Sequence, residues 1–166
     1  MKPTAPDFDV IDDLVRERDI EGEIGVWLKV TDSVYLNVLA QTDANPRYRQ
    51  VGPKRYRELK RQANAKATPE ELDAGWAAYW TDCHIIGWEG VITKAERDNE
   101  SKIISGGEPV PFTRTNCIAW LLKHTRLFRV LDRYTEDETN FRRAAHQEVV
   151  DEAKKSSSGI ATTDQS

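Results

Sequence analysis

Cysteine is scarce in this chain of 166 residues: there are two, Cys83 and Cys117. That excludes the disulfide framework of a small secreted domain. Both fall among apolar residues of predicted helices, where a reduced thiol behaves as a small hydrophobe. A functional thiol would instead show a depressed pKa. Long apolar runs are missing too. Nothing approaches the roughly 20 consecutive apolar residues of a membrane-spanning helix, and Met1-Lys2-Pro3-Thr4-Ala5-Pro6-Asp7 has no apolar segment of a secretory signal. The expectation is a chain with no membrane partner that stays in the cytoplasm.

Histidine is limited to three positions, and metal binding needs several ligands converging at fixed spacing. Cys83 and His84 are adjacent, so on a helix they point about 100° apart. Cys117 and His124 stand at i and i+7, too far apart on a straight helix for one ion, and His146 has only Glu148 nearby. No metal and no cofactor are expected. A G-x-S-x-G elbow, a P-loop and a glycine-rich phosphate loop are all absent from the sequence. The acidic pairs Asp12-Asp13 and Glu70-Glu71 fall in a tail and at a helix start, where negative charge favours the helix dipole. Acid catalysis is the weaker reading of them, and an enzyme is not expected.

What the chain does have is a polar, soluble balance: 39% hydrophobic residues, 31% charged residues and a net charge of -4. The length suits one domain with tails. Its expected divisions are an acidic segment at 1–22, a single globular domain at 23–153 and a disordered polar tail at 154–166. The acidic block runs from Asp7 to Glu23, with Val10, Ile11, Leu14 and Val15 offering one short helical face that must dock or fray. From Ile24 the pattern changes to period two. Ile24, Val26, Leu28 and Val30 alternate with polar or aromatic neighbours, Thr31-Asp32-Ser33 supplies a turn, and Val34, Leu36 and Val38 alternate again. This predicts a β-hairpin, which needs helices or a third strand against it.

Asn45-Pro46 is expected to end that unit. Arg47 to Lys66 then carries eight basic residues against Glu58, with Pro53 assigned to a first helical turn and Tyr56, Leu59 and Ala63 on one face. Phosphate contact with nucleic acid through Arg55, Arg57 and Arg61, with Tyr48 and Tyr56 as stacking surfaces, is one reading. A solvated face paired with the acidic N-terminal block is the favoured one, and docking of an acidic partner protein is a third. Thr68-Pro69-Glu70-Glu71 combines a capping threonine, proline at the first helical position and a capping-box glutamate. Behind it Leu72, Trp76, Tyr79, Trp80, Cys83 and Ile86 trace one helical face, with the stop expected at Gly87. This helix is expected at the centre of the core.

Trp88 to Ile92 reads as a short strand, and Ile103-Ile104 with Gly106-Gly107 as part of a second hairpin. Pro109 and Pro111 bar that region from a central strand. Thr113 or Thr115 caps a helix with Cys117, Ile118, Leu121 and Leu122, broken near His124-Thr125 and continued by Leu127, Phe128, Leu131 and Tyr134. Thr135 to Glu138 reads as another capping box, opening a helix with Phe141, Ala144, Ala145 and Val149. No internal repeat is present. The fold class is α+β, mostly α: a small N-terminal β-hairpin packed on a bundle of four to five helices. Most of the five Trp and five Tyr fit core positions. Trp27 and Trp120 are out of phase with their neighbours and are the candidates for a partner-facing surface, where Trp is enriched.

The order of motifs from about Gly25 to Phe141 resembles the tail assembly chaperones of long-tailed phages. The matching residues are Gly25-Val26-Trp27, Trp88-Glu89-Gly90-Val91, Gly106-Gly107, Val110-Pro111-Phe112-Thr113, Leu121-Leu122 and Phe141. The link from Lys94 to Ser105 is longer than the family's, and His124-Thr125-Arg126 replaces its proline. The resemblance implies a non-enzymatic protein of the host cell cytoplasm. It would bind the tape-measure protein, recruit the major tail protein, and be absent from the finished virion; self-association is a separate expectation for this chain. The resemblance also implies a longer form made by ribosomal frameshifting, for which Lys154-Lys155 is a candidate position. Rival expectations are a nucleic-acid-binding accessory protein acting through 47–66 and a connector or tail-completion protein retained in the virion.

Overall fold

The computed structural model describes residues 16–158. The apolar residues Val10, Ile11, Leu14 and Val15, the side chains of Val149 and of 156–158, and the tail after Ser158 lie outside the described residues. The fold is mostly helical α+β. After a helical turn that ends in a π-helical segment, Ile20–Ile24, come β1 (Val26–Lys29), β2 (Tyr35–Val38), α1 (Pro46–Ala63), α2 (Pro69–Cys83) and β3 (Ile85–Glu89). The small hairpin β4 (Glu96–Arg97) and β5 (Ile103–Ser105) follows, then α3 (Arg114–Lys123), α4 (Leu127–Glu136) and α5 (Glu138–Ser158).

The period-two pattern yields the expected hairpin. β1 pairs antiparallel with β2, Leu28 opposite Leu36 and Trp27 opposite Asn37. Thr31 closes the turn by accepting from the backbone N–H of Ser33 and Val34 at 3.3 and 3.1 Å. β3 is the third strand that such a hairpin needs, pairing antiparallel with β2. Leu28, Leu36, Val38 and Ile85 are buried against the helices. Trp27, in the opposite phase of the pleat, stays 47% exposed.

The core is built around α2. Thr68 accepts from the N–H of Glu71 and receives its carboxylate in return, the reciprocal capping box its sequence announces. Tyr79 and Trp80 are completely buried, with ring centroids 5.0 Å apart in an edge-on arrangement. Removing each ring from water contributes roughly 4–6 kcal/mol before ordering entropy is subtracted. Cys83, Cys117, Leu121 and Leu131 complete that core. A second, smaller cluster joins Ile20, Ala40, Phe141 and Ala145. Asp82 accepts from Arg55 at 3.1 Å and from Arg114 at 2.8 Å, tying α1, α2 and α3 together.

Three helix boundaries differ from the sequence reading. α1 opens at Pro46, capped by Asn45, whose side chain accepts from Arg47 and Tyr48. Pro53 therefore lies inside the helix. Asn45 also donates to the carbonyls of Ala40 and Cys83, so the residue that closes the hairpin unit also ties it to α2. α2 stops at Cys83, not Gly87: Ile85 turns into the core while Gly87 sits mid-strand opposite Asn37. Apolar residues at 83, 85 and 86 satisfy a helical face and a strand alike, and pairing with β2 decides the outcome. Thr135 is buried within α4, where its hydroxyl donates to the carbonyl of Leu131 at 2.7 Å. Asp137 caps the following turn instead, accepting from the N–H of Thr139 at 3.0 Å.

The acidic block does not pair with the basic helix in its described part. Glu17 pairs with Arg142, Arg16 with Glu148 and Glu152, and Glu21 accepts from Thr42. α5 continues through Ser158.

Candidate functional site

Gly90 has φ +81, and a Cβ there would lie 1.7 Å from the carbonyl oxygen of Ser33. Only glycine lets the chain turn away from β3 this close to the first hairpin. The turn brings Val91 back against Val110, whose N–H donates to the Val91 carbonyl at 2.9 Å. The Val110 carbonyl in turn accepts from the indole Nε1 of Trp88 at 2.8 Å. Pro111 leads to Phe112, whose ring meets Trp88 edge-on at 5.3 Å. Thr113 caps α3 by accepting from the N–H of Asn116 at 3.1 Å. About two turns later Trp120 also meets Trp88, ring centroids 5.8 Å apart, and packs at a tilt on His124 at 4.7 Å.

These residues enclose a shallow groove of ≈ 220 Å³, walled by Trp88, Val91, Ile92, Val110, Ala119 and Trp120 with Lys94 and Lys123 beside them. Ile92 and, on the adjoining helix surface, Leu122 are large apolar side chains left in water. Such a surface can shield an apolar stripe of another chain, and the two ammonium groups favour acidic flanks on it.

Of the residues singled out from sequence as partner-facing, Trp120 alone lines this groove. Trp120 is half-buried within it, and Trp27 is exposed on the outer face of the sheet. Arg55 is held by Asp82. Arg57 is exposed and its guanidinium donates to the carbonyl of Pro53 at 3.3 Å. Arg61 is exposed on the last turn of α1. Tyr56 is partly buried, its hydroxyl donating to Asp132 at 3.1 Å. Tyr48 is partly buried against His84.

Apart from Asn37 Oδ1 and Trp80 Nε1, the buried side-chain polar atoms of the described residues have hydrogen-bond partners. His84 is completely buried, with Nδ1 3.1 Å from the Leu39 carbonyl and Nε2 3.0 Å from the Tyr79 hydroxyl. Loss of water around it lowers its pKa to about 4, so the ring is neutral. Burial also raises both thiols, Cys117 to about 11 despite a hydrogen bond from Thr81 at 3.3 Å. Burial alone would raise Asp82, but hydrogen bonds from Arg114 and Arg55 outweigh it and hold the carboxyl below its usual range. Among the described residues no cluster of three His, Cys, Asp or Glu side chains could hold a metal ion, and no helix is long and apolar enough to cross a membrane.

Sequence reasoning marked Trp88, Val91, Val110, Phe112 and Trp120 but not their convergence, nor Ile92 and Lys123 as their neighbours. The signal available was the glycine-proline punctuation, which folds the 88–92 and 108–113 segments back on each other. No protein-family model, curated protein or solved structure matches this chain.

Proposed function

We propose that this protein is a tail assembly chaperone of a long-tailed phage. It works without catalysis in the host cytoplasm, holding the tape-measure protein until major tail protein subunits assemble around it. The observation supporting this reading most strongly is spatial. Segments that resemble the family in sequence, Trp88 to Val91 and Val110 to Thr113, lie side by side at the start of the Leu121-Leu122 helix and form one groove with Trp120.

A tape-measure protein is a long amphipathic helix, and its exposed apolar stripe aggregates unless covered. A helix laid into a groove of tryptophan, valine and isoleucine is a recurrent way to cover such a stripe. The lysines bordering the groove would meet acidic residues flanking it.

The test is co-expression with the tape-measure protein of the same genome, read by sedimentation. The native chain keeps that protein in the supernatant. Trp120→Ala and Ile92→Glu release it to the pellet while retaining native circular dichroism. A tape-measure protein equally soluble with and without this chain would refute the function. Mass spectrometry of purified virions separates a chaperone, absent from particles, from a connector retained in them.

A further inference from the structure

On the other side of the core, α1, α2 and α4 leave a cleft of ≈ 360 Å³ whose apolar lining comes from Trp76, Trp80 and Phe128. Trp76 and Trp80 are stacked with ring centroids 6.3 Å apart. The indole Nε1 of Trp80 is buried without a hydrogen-bond partner, an uncompensated cost in a protein interior. Three cations line the same cleft: Lys60, Arg129 and Arg133. The Lys60 ammonium lies 5.3 Å from the Tyr56 ring centroid and 5.7 Å from that of Trp76.

Arg16, Arg55, Arg114 and Arg142 are held in ion pairs. None of the described ion pairs includes Lys60, Arg129 or Arg133. Asp132, the carboxylate of the cleft, is already engaged by the Tyr56 hydroxyl and by Gln41 at 3.2 Å. Arg129 and Arg133 stand at i and i+4 on α4, where like charges repel. The cleft is thus a recessed aromatic surface ringed by unsatisfied positive charge, in a protein that is acidic overall.

We infer that this cleft docks an acidic amphipathic helix of a partner protein. A bulky apolar side chain of the partner enters over Trp76 and Phe128, and carboxylates one turn to either side meet Lys60, Arg129 and Arg133. The volume suits one large side chain, and charge complementarity selects acidic flanks. A nucleic acid fits less well, because the three cations surround a recess instead of tracking a backbone. This site stands apart from the groove at Trp88 and does not depend on the function proposed for it.

The test uses the full chain and a fluorescein-labelled peptide, Glu-Glu-Leu-Phe-Glu-Glu-Leu-Leu-Glu-Glu, read by fluorescence anisotropy. Saturable one-to-one binding is expected, weakening about fivefold or more between about 50 and about 300 mM salt. Reversing the charge in Arg129→Glu with Arg133→Glu lowers affinity about tenfold or more. Both side chains are exposed, so circular dichroism and the melting temperature should stay native. Lys60→Glu weakens binding as well, whereas Trp120→Ala leaves it unchanged and so separates this cleft from the groove. Absence of saturable binding would overturn the inference. So would equal affinity for the charge-reversed chain, equal affinity for a peptide with lysine at every glutamate, or displacement of the peptide by a single-stranded DNA oligonucleotide.

Discussion

Acidification from pH 7.5 to pH 4.5 should cost this fold roughly 2–3 kcal/mol through His84 alone. The ring is buried among Tyr48 of α1, Tyr79 and Trp80 of α2, and the Leu39 carbonyl just after β2. The Leu39 carbonyl can only accept, so Nδ1 carries the proton there, and Nε2 is left to accept from the Tyr79 hydroxyl. Protonating Nε2 would turn that acceptor into a second donor facing a phenol whose own O–H then loses its partner. No water reaches the ring to solvate the charge. A folded pKa of about 4 against 6.5 for a free imidazole spans at most about 3 kcal/mol, at 1.36 kcal/mol per pKa unit. Because the folded value is the lower one, the unfolded chain binds the proton first. The stabilisation is complete above pH 6.5, falls as pH drops toward 4 and changes no further below that.

Urea unfolding at pH 7.5 and pH 4.5, followed by tryptophan fluorescence, measures the difference. Carboxylates also titrate toward the acid end, so the discriminating comparison is His84→Gln, whose neutral amide keeps a donor for Leu39 and an acceptor for Tyr79. That variant should lose roughly 2–3 kcal/mol less than the native chain over the same pH interval, whatever its stability at neutral pH. Equal pH slopes in His84→Gln and the native chain would refute the argument, as would an imidazole resonance of His84 titrating near 6.5.

Further outcomes follow from the same geometry. Gly90→Ala meets both a positive φ and the Ser33 carbonyl, so it should lower stability by roughly 2–4 kcal/mol in chemical denaturation. Because the glycine also shapes the groove, partner binding should weaken with it. Cys83 and Cys117 are buried, with thiols shifted upward by burial. A thiol reagent at pH 8 should label neither within minutes, and both only after denaturant is added. Rapid labelling of the native chain would show that α2 and α3 are not packed as described.

Much of the helical framework was legible because local chemistry and tertiary need agree there. Thr68 with Glu71 and Thr113 each supply the oxygen that a helix start lacks, and the alternation from Val26 to Val38 leaves one pleat face apolar. The misread boundaries share a cause. Pro53 reads as a helix start because it lacks an N–H, yet Asn45 anchors the true start through carbonyls of Ala40 and Cys83, contacts made only in three dimensions. Gly87 reads as a helix stop, but it faces Asn37 across the sheet. Thr135 reads as a cap because a hydroxyl can serve a free N–H or a carbonyl one turn back, and burial selects the second. As for the groove, the sequence supplied its aromatic residues but not their meeting, which depends on Gly90 folding the chain against Ser33. The cleft on the other side was invisible, because Lys60 on α1 and Arg129 on α4 are far apart in sequence.

The most direct test of a partner-grasping surface at Trp88 and Trp120 is the dissociation constant for the tape-measure protein, measured with the native chain and with Trp120→Ala. Removing the indole from the centre of a contact should weaken binding tenfold or more, about 1.4 kcal/mol or above, with the fold unchanged. An unaltered dissociation constant, or no binding by the native chain, would contradict the account.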